Sequence, residues 1–278
     1  MSERELDGRV AVVTGAGSGL GAALARAFAG AGARLALADI DLAAAERTAA
    51  ELRAKGNEAR ACRVDVGDAA SIAELAQQTA RWYGGAHLLA ANVGVVQFGA
   101  IDALAAEDWR WVFGVNVFGT VACVRAFLPQ LRAARGRRHV LLTASTSALW
   151  AAPRLGVYTA SKYAVLGLGE TLRAELAPES IGVTVLLPGP MATDHLRSSA
   201  AARPAHIASA HVHPGDIDAV SAATADDAGV ITADRAVRGV LAALAKDEPY
   251  VFTHPASGRQ IRARFDALLE AHERSGRS

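Results

Sequence analysis

Over the first two hundred residues, short unbroken apolar runs alternate with longer segments whose apolar positions recur at helical spacing. Val10–Thr14, Arg34–Asp39, Leu88–Asn92, Val140–Ser145 and Val183–Leu187 read as strands, and another run closes on Val64-Asp65. Their apolar character is continuous, not alternating, as in strands covered on both faces of a parallel sheet. Between them the spacing predicts a helix from the glycine-rich turn to Gly30, and a second, capped by Asp41, that ends at Lys55-Gly56. A third covers about 69–83 and stops at Gly84-Gly85. A long helix follows over about 107–134, with Pro129 late enough to kink it, and another runs over about 157–177 until Pro178. This alternation predicts an α/β fold: a doubly wound, Rossmann-type parallel sheet with helices on both faces.

After Pro190 the pattern weakens. Residues 195–230 are rich in Ala, Ser, His, Asp and Pro with little periodicity, as in a functional lid or a disordered segment. A helix over 234–245, a strand over 250–253 and an amphipathic helix over 258–274 complete the chain, the strand bringing the expected sheet to seven. No linker divides it. One domain over 1–278 is expected, with a cofactor and catalytic core at 6–194, a substrate lid at 195–230 and a helix–strand–helix tail at 231–278.

Composition narrows the class. With 278 residues, 51% apolar and 21% charged, the chain can bury a large core without disulfide or metal staples and is not disordered throughout. Lys+Arg 29 against Asp+Glu 28 leaves a net charge of +1, without the basic surplus of a nucleic-acid binder. Only Lys55, Lys162 and Lys246 are lysines, and this Ala-rich, Lys-poor usage points to a GC-rich bacterial genome. Cys62 and Cys123 read as small core residues in a reducing compartment. The charged stretch Met1–Arg9 has no apolar signal region, and no apolar run approaches the roughly 18 residues that cross a bilayer. A cytoplasmic enzyme with neither membrane nor nucleic-acid partner is the expectation.

The stretch Thr14-Gly15-Ala16-Gly17-Ser18-Gly19-Leu20-Gly21 lies between a strand and a helix. Glycines there let the backbone turn tightly and approach a pyrophosphate, and the helix N-terminus offers free N–H groups to the phosphates. Asp39, eighteen positions beyond Gly21 and followed by Ile40, ends the second strand, where a carboxylate accepts from the adenosine ribose and repels a 2′-phosphate. No basic residue stands in the turn or directly after Asp39, so NAD is expected over NADP.

Tyr158 and Lys162 are four apart on a helix and so share a face. An ammonium beside a phenol lowers its pKa and fits it for proton transfer to a carbonyl or from an alcohol. Together with the glycine turn, this pair makes residues 6–194 resemble the short-chain dehydrogenase/reductase family. Its Thr-Gly-x-x-x-Gly-x-Gly turn matches Thr14, Gly15, Gly19 and Gly21, and its Tyr-x-x-x-Lys matches Tyr158 and Lys162. Its catalytic Ser, thirteen residues before the Tyr, falls on Ser145, and its Asn in the long helix on Asn116. Its Pro-Gly and following Thr match Pro188, Gly189 and Thr193, and its acidic residue near the adenine matches Asp65.

The resemblance implies Tyr158 as general acid/base, with Lys162 depressing its pKa and holding the nicotinamide ribose. It implies Ser145 as hydrogen-bond partner of the substrate oxygen, and Asn116 as holder of a water linking Lys162 to solvent. Val66, Asn92, Gly94 and Met191 join the implied cofactor contacts. Thr143, Thr146 and Ser147 read as strand-end or turn hydroxyls. The family's Asn-Asn-Ala-Gly appears as Ala91-Asn92-Val93-Gly94, and its preceding Asp as His87, which bears on local stability and cofactor affinity.

The loops expected around the substrate carry Val95, Val96, Phe98, Ala148, Leu149, Trp150, Leu155, Met191 and Leu196, which suits a bulky apolar or aromatic secondary alcohol or ketone. His206, His211 and His213 read as polar loop residues and not metal ligands, and the Arg-bearing last helix as a solvated face. Small residues over Ala164–Gly169 suit close helix approach, as in the paired helices of family dimers and tetramers. The reading is thus an NAD-dependent oxidoreductase, a homo-tetramer or homo-dimer. Its rivals are an NADPH-dependent carbonyl reductase, opposed by Asp39, and an inactive NAD-binding regulator, opposed by the intact Asn116, Ser145, Tyr158 and Lys162.

Overall fold

The computed structural model describes residues 5–191, 195–207, 229–254 and 258–275. Strands β1 (Val10–Thr14), β2 (Arg34–Asp39), β3 (Ala59–Arg63), β4 (Leu88–Ala91), β5 (Arg138–Thr143), β6 (Ile181–Leu187) and β7 (Tyr250–Phe252) form one seven-stranded sheet in the order β3-β2-β1-β4-β5-β6-β7. Every pairing is parallel. The interior strands are almost wholly buried, which is why they lack alternation; at the edges, β3 exposes Arg60 and Arg63, and β7 exposes Tyr250 and Phe252. β3 ends at Arg63, short of the expected Asp65, although Val64 N–H still donates to Asp39 C=O at 2.8 Å.

Helices α1 (Gly19–Gly30), α2 (Leu42–Ala54) and α3 (Ala69–Tyr83) follow the first three strands. Asp41 and Asp68 cap α2 and α3 by accepting from Ala44 and Ala70 N–H, and Gly84 ends α3 at φ 81°, where a side chain would be strained. The long segment before β5 is α4 (Ala106–Phe113), a π turn over Gly114–Phe118, and α5 (Gly119–Ala133). Its interruption therefore falls at Asn116, whereas α5 runs on through Pro129. Gly119 is needed there because a Cβ would stand 2.8 Å from Val66 C=O. Within Ala106–Ala133 an 18-residue window reaches a mean hydropathy of 1.6, enough by length and composition alone to cross a membrane and more than the sequence reading allowed; here Cys123, Phe127 and Leu131 pack the segment into the core.

α6 (Gly156–Leu176) lies after β5, and α7 (His195–Ala202) gives regular structure at the start of the expected lid. Residues 208–228 of that segment lie outside the described residues. The single helix expected over 234–245 is two, α8 (Ala233–Ala236) and α9 (Val240–Lys246), before β7 and α10 (Gly258–Ser275). One core face joins the sheet to Ile72, Phe127, Val165 and Leu172 of α3, α5 and α6; the other joins it to Leu24, Phe28, Leu52, Val240 and Leu244 of α1, α2 and α9. Full burial of such side chains contributes about 1.5–3 kcal/mol each. Gly169, read as part of an outward stripe, faces the sheet instead: a Cβ would meet Val185 at 2.3 Å. Strand order reverses between β3-β2-β1 and β4-β5-β6-β7, the point where doubly wound sheets open a crevice at their C-terminal ends.

Candidate active site

At that crevice a cavity of about 740 Å³ runs from the glycine turn to α7. Gly15, Ser18, Gly19, Leu20 and Gly21 line it from the turn, and Asp39, Ile40, Asp65 and Val66 from the ends of β2 and β3. Gly15 has φ 68°, and a Cβ on Gly21 would lie 1.9 Å from Gly15 C=O, so the start of α1 closes on the turn only through glycine. Two expected contacts act behind the surface. Thr14 is buried, and its hydroxyl accepts from Asn92 N–H at 3.0 Å; Gly17 donates its N–H to Asp39 Oδ2 at 2.8 Å. Asp39 Oδ1 also accepts from Asp41 N–H at 3.0 Å, so the carboxylate ties the turn to the end of β2.

The altered segment after β4 has its own supports. Ala91 is part of the core, and Asn92 bridges β1 and β5: its Nδ2 donates to Thr14 C=O at 3.2 Å, and its Oδ1 accepts from Thr143 Oγ1 at 3.1 Å. His87 Nδ1 accepts from Val10 N–H at 3.2 Å, and burial first, then Arg9 and Arg34, hold its pKa below the ordinary value. Gly94 leaves room for an ammonium, since a Cβ there would stand 3.0 Å from Lys162 Nζ.

Ser145, Tyr158 and Lys162 line one stretch of the cavity. Ser145 follows β5 in extended backbone, and its Oγ accepts from Ser147 N–H at 3.1 Å. Lys162 is buried; its Nζ donates to Thr143 C=O at 3.0 Å and stands 5.6 Å from the Tyr158 ring centre. Desolvation lowers the Lys162 pKa to about 8. Desolvation also raises that of Tyr158, with Ser145 pulling the other way, opposite to the expected depression. Burial thus favours the neutral form of each group, and a charge on either one would call for the opposite charge beside it.

Asn116 is fully buried and touches neither Tyr158 nor Lys162 in any hydrogen bond among the described residues. Its Oδ1 accepts from Val95 N–H at 2.7 Å, and its Nδ2 donates to Val95 C=O and Ser161 Oγ, both at 2.9 Å. Pro188, Gly189 and Met191 line the cavity; Thr193 lies outside the described residues.

Of the expected substrate wall, Val95, Val96, Phe98, Leu155, Met191 and Leu196 line the cavity. Ala148 and Leu149 belong instead to the core, with Trp150 packed against it, because the short helical turn Thr146–Ala148 directs this stretch inward. Sequence reading missed Trp111, Ser199 and His195 in the wall. His206 lies outside it, His211 and His213 fall outside the described residues, and no metal-holding cluster occurs among the described residues.

A family profile described as short chain dehydrogenase matches residues 9–204. The chain is 35% identical over 266 residues to 1-deoxy-11-beta-hydroxypentalenate dehydrogenase of Streptomyces exfoliatus, covering 94% of this chain and 88% of that one. It is 33% identical over 190 residues to versicolorin reductase 1 of Aspergillus parasiticus, covering 68% and 72%. Among solved structures, a short chain dehydrogenase/reductase from Burkholderia phymatum in complex with NAD superposes with a TM-score of 0.88 at 35% identity, covering 98% of this chain and 97% of that one.

Proposed function

The chain belongs to the short-chain dehydrogenase family of oxidoreductases, and from that premise we propose that it interconverts a bulky apolar or aromatic secondary alcohol and its ketone with NAD. The observation that carries this reading is the grouping of Ser145, Tyr158 and Lys162 in one cavity with the glycine turn and Asp39. When bound, NAD supplies the hydride acceptor. Gly15, Ser18, Gly19 and Gly21 would hold its phosphates, and Asp39 its adenosine ribose.

In the oxidative direction Tyr158 takes the hydroxyl proton of the alcohol, and in the reductive direction it returns it. Lys162 offsets the phenolate charge and holds the second ribose. Ser145 donates to the substrate oxygen as charge develops there. Asn116 holds the Val95 loop and keeps one Oδ1 lone pair for a water between Lys162 and solvent.

Support for an apolar substrate comes from Val95, Val96, Phe98, Trp111 and Leu155, and Lys162 is the one Lys or Arg among the described lining residues. The relatives named for a hydroxypentalenate and for versicolorin favour a hydroxy or keto substrate. We read the protein as a cytoplasmic bacterial enzyme, a homo-dimer or homo-tetramer formed through α5 and α6; Phe118, 66% exposed at the end of the π turn before α5, is suited to such a contact. Sedimentation at micromolar concentration showing only a 28.7 kDa species would overturn that assembly. The functional test is a panel of aryl, terpenoid and steroid secondary alcohols with NAD and NADP side by side, read by absorbance of the reduced cofactor. Turnover with NAD supports the reading; preference for NADP, or no turnover of any alcohol or ketone, overturns it.

A further inference from the structure

His195 opens α7, and its ring stands edge-on to Tyr158, centroids 6.3 Å apart and planes at 60°, in the wall of the same cavity. Its placement is held by the backbone. The His195 carbonyl accepts from the hydroxyls of Ser198 at 3.1 Å and Ser199 at 2.7 Å. Ser199 Oγ, buried, accepts in turn from Val96 N–H at 3.1 Å. Beyond the end of α7, Arg203 pairs with the buried Asp108 of α4 and donates to Gln97. These contacts tie α7 to the Val96 loop and to α4 beside the cavity.

The imidazole itself has no hydrogen-bond partner among the described residues. Burial first, and the Lys162 charge second, push its pKa down to about 4, so it is neutral near pH 7 and carries one N–H donor and one acceptor nitrogen. The cavity it faces is lined by the apolar Val96, Phe98 and Leu196 as well as by Ser145, Ser198 and Ser199. The residue is only partly buried, so its ring can take a hydrogen bond from a ligand seated in the cavity.

We propose that His195 is a specificity-determining residue that exchanges a hydrogen bond with a second oxygen of the substrate, one or two carbons from the reacting carbon. The preferred substrates are then hydroxyketones and the matching diols. A hydroxyl fits because, like neutral imidazole, it both donates and accepts, so either ring tautomer is satisfied. The inference rests on the alcohol/ketone reading above.

The test compares acetophenone with 2-hydroxyacetophenone in wild type, His195→Phe and His195→Gln. Two quantities are read: kcat/KM for NADH-driven reduction, and the dissociation constant of each ketone from the enzyme–NADH complex by NADH fluorescence. In wild type the hydroxyketone should be favoured by about tenfold in both, the scale of one hydrogen bond. His195→Phe should bring both ratios close to one, whatever the absolute rates, and His195→Gln should recover part of the preference. A wild-type ratio of one overturns the proposal. So does a preference kept in His195→Phe, even when both substrates suffer equally, since that is a structural role. If wild type reduces neither ketone, the dehydrogenase reading fails on this pair, and the binding ratio still decides the role of His195.

Discussion

Acid should destabilise this fold through His139, in the strand that leads to Ser145. The ring is 4% exposed, with Nε2 2.8 Å from Thr184 Oγ1. Thr184 gives its own hydrogen to Glu248 C=O at 2.7 Å, so Nε2 carries the proton and donates. Desolvation drives the pKa from 6.5 to about 4, opposed by Asp247 and reinforced by Arg173 and Arg137. Between those values the unfolded chain binds a proton that the fold refuses. Stability is therefore complete above about pH 6.5, declines as pH falls through the window, and levels off below about 4. A depression of this size corresponds to about 3 kcal/mol, a large share of the roughly 5–15 kcal/mol that holds a typical protein folded. Urea unfolding of wild type and His139→Gln at about pH 7 and pH 4.5 checks this, since the glutamine amide can still donate to Thr184. Wild type should lose about 2–3 kcal/mol more than the variant on acidification. His87 and His195, also depressed, titrate in both proteins and cancel. Parallel losses in the two proteins would refute the reasoning.

Asp39→Asn should raise the NADP-to-NAD preference by at least about tenfold, because it removes one charge while keeping an acceptor for Gly17 N–H; cofactor titrations with an unchanged ratio would count against Asp39 as selector. Gly21→Ala forces a Cβ to within 1.9 Å of Gly15 C=O, so the turn must deform. NAD affinity should fall more than tenfold, and an alanine variant that binds NAD normally would contradict that geometry. Arg203→Ala leaves Asp108 buried with, among the described residues, only Ala105 N–H donating to it, at a cost of about 2–3 kcal/mol. Amide exchange over 195–202 should quicken, and unchanged exchange would show that this pair does not anchor α7.

Much of the architecture was legible because continuous apolar strands and capped helices announce themselves locally; Asp41, Gly84 and the glycine turn act as expected from neighbours in sequence. What failed depended on distant partners. The break in the long helix lies between Gly114 and Gly119, where close approach to Val66 matters, yet Pro129 was the more conspicuous signal. Gly169 read as a place for another helix, when its constraint is Val185 in β6. Ala148, Leu149 and Trp150 turned inward through a single helical turn that no periodicity marks. His195 escaped notice because its segment has no clear pattern, and only the fold brings it beside Tyr158. At the altered segment Ala91 joins the core, and Asn92 ties β1 to β5 through Thr14 and Thr143, a long-range link that the local motif does not announce.

The most direct measurement of the central claim is reduction of NAD by a secondary alcohol in wild type and Tyr158→Phe, with NAD binding titrated in both. Only the transferable proton is removed, so the account predicts turnover lower by at least about 10²- to 10⁴-fold, the share of a general acid/base, in a folded variant that still binds NAD. Turnover within a few-fold of wild type in that variant would contradict it.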